Sequence, residues 1–506
     1  MKNKWTALGY YLLASLPAIY LAHLLTAYHL DLPLCDQWVH VDLIQRLFDH
    51  KISWADVWQQ QDDFRMPIQR LAVLAMAYAS HWNIAVELAA NLLAGITALL
   101  MIGILIRRTE AANGLQSQAW ILTIISVLVL TLIQYENWFW GFALNLYIGN
   151  LAFITVVVLL SNQEFRWWRY AASVLAGCVA TFSVHYGLMS WPLGLMILVA
   201  MNVSSLQKNW VRAGLWGLIG ILVVIIYFYG LYFRGLAKLA ISPGPIDYLS
   251  FVLNFLALPL SNDRVAPIVG FIGLILLTTL PIWLVVTRRM SIQSVIPYVS
   301  IGLYSVGGAV AASIGRVPLG STGDSLRYSS VSIWMWVAII ALLYFSIRSE
   351  YKDSGRTNPI SFEWAGLIAL CVLLFAIIDP LNILSWRVPN EILVWLLCGI
   401  GVGAYVILSS RIKIQYNIAT HASSIALIVI SILLTHQSFG VGKRGAIWYQ
   451  KHHFAPIVNQ VVDSSLKGKI NESALTRLYC GIPVQIENAK TRIKVLREYN
   501  LAAFRD

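Results

Sequence analysis

The feature that most constrains this chain is a series of apolar runs, each near the ~20 residues that a helix needs to cross a bilayer. The first runs from about Ala7 to Tyr28. Others follow at about 84–106, 118–134, 144–161, 170–184, 187–203, 213–233, 266–287, 292–313, 330–347, 362–378, 391–409 and 418–435. The expected fold is therefore an all-α polytopic membrane protein with about thirteen transmembrane helices. Two further apolar runs, Met66–Ser80 and Ile246–Leu260, are too short to span and read as interfacial helices. Only 12% of the 506 residues are charged, whereas a soluble domain carries about 25%. The first run exceeds the roughly 7–15-residue core of a cleaved signal peptide and reads as a retained span.

Charge orients the spans. With Lys2 and Lys4 inside, alternation also puts inside Arg107-Arg108, Arg166 with Arg169, Lys208 with Arg212, Arg288-Arg289, Arg348 with Lys352 and Arg356, and Arg411 with Lys413. Each cluster lies where the positive-inside rule wants it. The net charge of +12 follows from that rule and does not point to nucleic acid. The other face receives the 30–83 loop, Gln134–Ala143, Gly235–Pro267, Ser313–Ser329, Asp379–Asn390 and the tail from His436. The chain divides into a transmembrane domain, 1–435, and a small helical outer domain, 436–506, with helical periodicity in Ser473–Leu501. The N-terminus is then cytoplasmic and the C-terminus periplasmic. Two spans meet at a tight turn at His185-Tyr186.

The polar stretch Leu30–Arg70 stands out, because long loops between neighbouring elements are often functional. Its acids are Asp31, Asp36, Asp42, Asp49, Asp56, Asp62 and Asp63. Asp36 follows the first span closely, beside Gln37 and Trp38. A partly desolvated carboxylate there could take a proton from a hydroxyl; it could equally cap the helix Val39–Phe48. His40, four residues on, would share its face and could orient it or simply stabilise the helix. The pair Asp62-Asp63 could hold a divalent cation or be exposed. In Gln134–Trp140, Glu136 and Asn137 sit among Tyr135, Trp138, Phe139 and Trp140. Such rings suit sugar faces, and also an interfacial aromatic belt.

Arg316 and Arg327 flank a Gly-rich outer loop. Arg65, Arg70, Arg234, Lys238, Arg264 and Arg387 also lie on the face that the positive-inside rule disfavours. They fit a lipid-phosphate substrate or anionic headgroups. The GVGKRG stretch, Gly440–Gly445, matches G-x-G-x-x-G but follows a span rather than a strand, so a dinucleotide site is rejected. The five Cys make no metal spacing. No metal ligands and no cofactor are assigned, although a divalent metal stays open. Cys178, Cys371 and Cys398 fall in predicted spans; Cys35 and Cys480 share the outer face. A bridge between them would pin the tail over the loop, and needs Cα atoms within roughly 7 Å; two separate thiols are the alternative.

Together these residues resemble the GT-C superfamily of membrane glycosyltransferases. More narrowly, the chain resembles bacterial members with a CDQW-like segment (Cys35–Trp38), ENWFWGF (Glu136–Phe142), GLMSWPLGL (Gly187–Leu195), the pair Arg327-Tyr328 and a tail ending LREYNLAAF (Leu496–Phe504). The resemblance implies transfer of a sugar from an undecaprenyl-phosphate-linked donor to a surface glycan or lipid-linked acceptor. The reaction would lie on the periplasmic face of the bacterial inner membrane, with O-antigen modification as a natural context. It makes Asp36 the catalytic base and Arg327 a phosphate-binding residue. From the loops themselves, Glu136 is a second candidate catalytic carboxylate, and Arg65, Arg316 and Tyr328 are further candidates for the donor phosphate. Trp38, His40, Asp62, Asp63, Asn137, Trp138 and Trp140 would contact sugar or acceptor. Many members carry a double acidic motif, whereas Gln37 follows Asp36 here, so metal use is open. An O-antigen polymerase or ligase would centre on a large late loop instead. A lipid-linked sugar flippase or transporter would carry ionisable groups near the midplane; these spans are nearly free of acids, with Glu87 near the mouth of one and Glu363 at the edge of another.

Overall fold

The computed structural model describes residues 2–61, 64–115, 118–162, 164–201, 206–232, 243–353, 418–435, 437–438, 442–480 and 486–505. Among these the regular elements are all helices. Eight are long and apolar enough to cross a membrane: Leu8–Tyr28, Ile84–Ala112, Trp120–Trp138, Gly141–Leu160, Trp210–Phe228, Ala266–Val286, Ile292–Leu319 and Leu326–Ser349. Predicted spans 170–184 and 187–203 form the shorter helices Trp167–Thr181 and Ser190–Met201, joined by a 3-10 turn, His185–Met189. The span at 418–435 is the helix Ile418–Thr435. The spans predicted at 362–378 and 391–409 lie outside the described residues, as do Asp62, Asp63, Arg234, Lys238, Glu363, Arg387, Cys371 and Cys398.

The helix Ser329–Asp353 is the pillar of the bundle. Its residues are apolar on every side, from Val331 through Trp334, Trp336 and Leu342 to Ile347, and all of these are buried. A helix apolar all round belongs inside a bundle, and Ile292–Arg316, Ile418–Thr435, Ala266–Val286 and Trp120–Val129 pack against it. Leu206–Phe228 is the opposite case. Leu218, Ile221, Leu222 and Ile225 are exposed along one side, where lipid would lie, while Trp216, Val223 and Tyr227 face inward. The two short apolar runs expected at the interface form the helices Pro67–Ser80 and Pro245–Ala257, each with proline in its first turn, where the missing N–H costs nothing. One span is longer than expected. Ile84–Ala112 runs past residue 106 and buries Glu110 at its end.

Side-chain contacts sort the loops into two ends. At one end Asn137 donates to the carbonyl of Arg327 (2.8 Å), Asn254 to that of Thr322 (2.9 Å), and Gln60 exchanges two hydrogen bonds with the backbone of Tyr232 (2.5 and 2.9 Å). At the other, Asn113 meets Ser294 (2.9 Å), Tyr298 meets Thr109 (2.9 Å) and Tyr170 meets the carbonyl of Arg212 (3.0 Å). The segments that charge assigns to one face thus meet at one end wherever they are described.

The tail is fastened to the first loop. Arg492 grips both carboxylate oxygens of Asp42 (3.1 and 2.6 Å), Tyr499 bonds Asp49, and Arg505 pairs with Asp31. Tyr479 stacks on Trp38 at 4.9 Å. Cys35 and Cys480 form a disulfide, with Cα atoms 5.0 Å apart across 445 residues of sequence. Of the two alternatives for these cysteines, the structure takes the bridge.

Candidate active site at the loop-bearing end

Asp36 occupies the second position of a 3-10 turn, Cys35–Trp38, and is half-buried. The residue at the N-cap of the helix Val39–Phe48 is Trp38, so the capping alternative for Asp36 is not the one the chain uses. Its neighbours fix it. Cys35 is tied to the tail, and Gln37 is buried, donating to Glu87 Oε2 (2.6 Å). The other oxygen of Glu87 accepts from the Trp82 indole (2.7 Å). This explains the departure from a double acidic motif. A carboxylate at 37 would face that of Glu87 in a buried site, and like charges there are mutually unfavourable.

The remaining described acids of the loop have visible structural work. Asp31 accepts from the Ile84 N–H (2.9 Å) as well as pairing with Arg505. Burial raises its pKa, opposed by the Ile84 N–H and the charge of Arg505. Asp42 and Asp49 hold the tail, and Asp56 closes a capping box with Ser53 and pairs with Arg46.

A small pocket is lined by Leu34, Cys35, Glu136, Phe139, Trp140, Arg327 and Tyr449; Asp36, next in sequence to Cys35, is not among its lining residues. Arg327 is its cation. Its Nε donates to Glu136 Oε2 (3.2 Å), its guanidinium lies 4.8 Å from the centre of the Trp140 ring, and Tyr449 lines the pocket beside it, close enough for the guanidinium to act on the phenol. Asn137 holds its backbone, and the Trp140 indole donates to the Leu34 carbonyl (3.0 Å). Burial, then the charge of Glu136, pushes the Tyr449 phenol up to about 12 against the opposing effect of Arg327, so it keeps its proton. About a third of the Arg327 side chain (38%) stays exposed. The site can therefore present a fixed guanidinium, an aromatic wall and the carboxylate of Glu136 to one small ligand group.

The other candidate residues are placed differently. Trp38, His40, Asn137 and Trp138 are wholly buried. Trp138 stacks on Tyr147 (4.4 Å), and His40 stacks on Phe142 (5.6 Å) next to Gln69. Burial, with the charge of Arg70, holds the His40 pKa down at about 3. These side chains are core and do not line the pocket. Arg65 is buried elsewhere, donating to the Tyr229 carbonyl (2.8 Å) beside Trp58. Arg316 ends its helix, exposed, and Tyr328 stacks on Phe255 (4.9 Å). So Glu136, Trp140 and Arg327 converge beside Cys35, while Arg65, Arg316 and Tyr328 do not line this pocket. Among the described residues no three His, Cys, Asp or Glu form a metal-binding group.

Tyr449 and the Gln37–Glu87 pair are absent from the sequence-based set. The signal for Tyr449 was the glycine pattern before it. A Cβ on Gly442 would fall 2.3 Å from the Leu132 carbonyl carbon, and one on Gly445 2.5 Å from the Tyr135 ring. These glycines allow close approach, pressing the segment that carries Tyr449 onto the segment that carries Glu136.

No protein-family model and no curated protein matches the chain. Its structure is similar to two crystal structures of ArnT from Cupriavidus metallidurans, one in the apo state and one bound to undecaprenyl phosphate. Both are 15% identical and cover 98% of this chain and 89% of the other, with TM-scores of 0.44 and 0.42. That likeness is to the general course of the chain and carries no argument about the site.

Proposed function

We propose that this protein is a membrane glycosyltransferase that moves a sugar from an undecaprenyl-phosphate-linked donor to a surface glycan or lipid-linked acceptor on the periplasmic face of the bacterial inner membrane. The observation that carries this reading is the Arg327–Glu136 pair in a pocket that also contains Cys35, the residue before Asp36. The sequence resemblance supplies the reaction class. Nucleotide sugars are cytoplasmic, so a site on the outer face needs a donor already carried across on lipid.

In the proposed reaction an acceptor hydroxyl attacks the anomeric carbon. Asp36 takes the hydroxyl proton. The bond from the anomeric carbon to the phosphate oxygen breaks, and the phosphate leaves with the electron pair. Arg327 stabilises that developing charge, for which a planar guanidinium is suited. Glu136 aligns Arg327 through Nε, and Phe139 and Trp140 offer faces to the sugar. The test is transfer by purified protein in liposomes with undecaprenyl-phosphate-linked sugars, alongside glycan masses from cells with and without the gene. A mass difference identifies the sugar. Unchanged glycans together with no transfer from any polyprenyl-linked donor would overturn the reading.

A further inference from the structure

The tail contributes one side chain to the pocket, and nothing in the proposed reaction uses it. Tyr449 belongs to a π-helical segment, Trp448–Phe454, a geometry that recurs at functional sites. Its ring packs edge-on against Tyr135 (5.5 Å), one residue from Glu136, and it lies beside Arg327 in the pocket lining. Arg327 thus has its guanidinium set from three directions: a carboxylate at Nε, an indole face, and a phenol from the C-terminal tail. The segment bearing Tyr449 lies close against Leu132–Tyr135 at the two glycines, and the Ser438 hydroxyl oxygen accepts from the Leu132 N–H (3.0 Å). Farther along, the tail is locked to the residue beside Asp36 by Cys480.

We infer that Tyr449 is a positioning residue of this site: its hydroxyl sets the orientation in which Arg327 receives the lipid phosphate, so the C-terminal segment is a working wall of the pocket. The inference rests on the proposed glycosyl transfer. Its physical basis is that a guanidinium recognises phosphate through a planar fork, which must be aimed, and a long side chain is aimed only when its rotamers are locked by neighbours.

The experiment measures undecaprenyl phosphate binding and donor kinetics for wild type, Tyr449→Phe, Arg327→Lys and the double variant. Tyr449→Phe keeps the ring against Tyr135 and removes only the hydroxyl. It is expected to raise the donor KM and the Kd for undecaprenyl phosphate about tenfold, the worth of roughly one hydrogen bond to a charged group, with acceptor KM unchanged. Because Tyr449 acts through Arg327, the double variant should bind the lipid phosphate no worse than Arg327→Lys alone. Unchanged donor KM and lipid Kd in Tyr449→Phe, or fully additive losses in the double variant, would overturn the inference while leaving the proposed function standing. A wild-type protein that neither binds undecaprenyl phosphate nor transfers a sugar would overturn both.

Discussion

The two ends of the bundle use similar polar residues to different effect. At the end away from the large loop, Glu110 accepts from Tyr344 and from the Gln118 N–H (3.2 Å), Thr109 pairs with Tyr298, and Asn113 with Ser294. These contacts join one helix to its neighbours, and Glu110 is almost wholly buried. At the loop-bearing end the carboxylate of Glu136 likewise meets a partner, Arg327, but both line a pocket and remain partly exposed. Buried polar groups need partners wherever they occur. What separates structure from site is whether the partnered group still has an open edge. By that criterion the far end closes the bundle and the near end addresses a ligand.

Four measurements would break or sharpen this contrast. The largest effect is expected from Asp36→Asn, which removes the proposed base without changing shape. Transfer should fall about 10²–10⁴-fold with insertion and melting intact; near-normal transfer would remove Asp36 from the mechanism. Next, Cys35→Ser with Cys480→Ser should lower thermal stability and loosen the tail. Chain-entropy reasoning gives on the order of 4–5 kcal/mol for very long closures, an upper bound here because inserted helices already restrict the chain. Labelling of both thiols in non-reduced, oxidised membranes would show that the bridge does not form in the native protein.

Third, Arg327→Ala should raise the donor KM about 10–100-fold, the range for losing a hydrogen bond to a charged group. Acceptor KM should change less, and Arg327→Lys should recover only part, since an ammonium lacks the fork. An unchanged donor KM would make the residue a headgroup anchor and dissolve the contrast between the ends. Smallest in its effect on activity is Glu110→Gln at the far end. It should cost about 1–3 kcal/mol of stability through a weakened buried contact, read as a lower melting temperature, with donor KM unmoved. A donor KM that rose with Glu110→Gln would mean that the far end is coupled to the site.

The loop itself shows what sequence reading resolves and where it stops. The acids of Leu30–Arg70 look alike on paper. In the folded chain Asp31, Asp42 and Asp49 bind the tail through Arg505, Arg492 and Tyr499, and Asp56 serves a local cap and Arg46. The outer arginines named by position also looked equivalent, yet of Arg65, Arg316 and Arg327 only Arg327 lines the pocket. The aromatic segment was half legible: Trp140 reaches the pocket, while Trp138, two residues away, is core.

By itself, then, the sequence determined the helical membrane class, the short helices at Pro67–Ser80 and Pro245–Ala257, and which described loops share an end. The reason is that a bilayer reads hydropathy and charge along the chain, span by span, and these signals are local. Tertiary structure alone decided that Cys35 bonds Cys480, that Arg327 faces Glu136, and that Tyr449 completes their pocket. Those partners lie 191 to 445 positions apart or come from the tail. Their meeting depends on how the helices pack around Ser329–Asp353 and on glycines that let one backbone approach another, and neither is written in any single stretch of the chain.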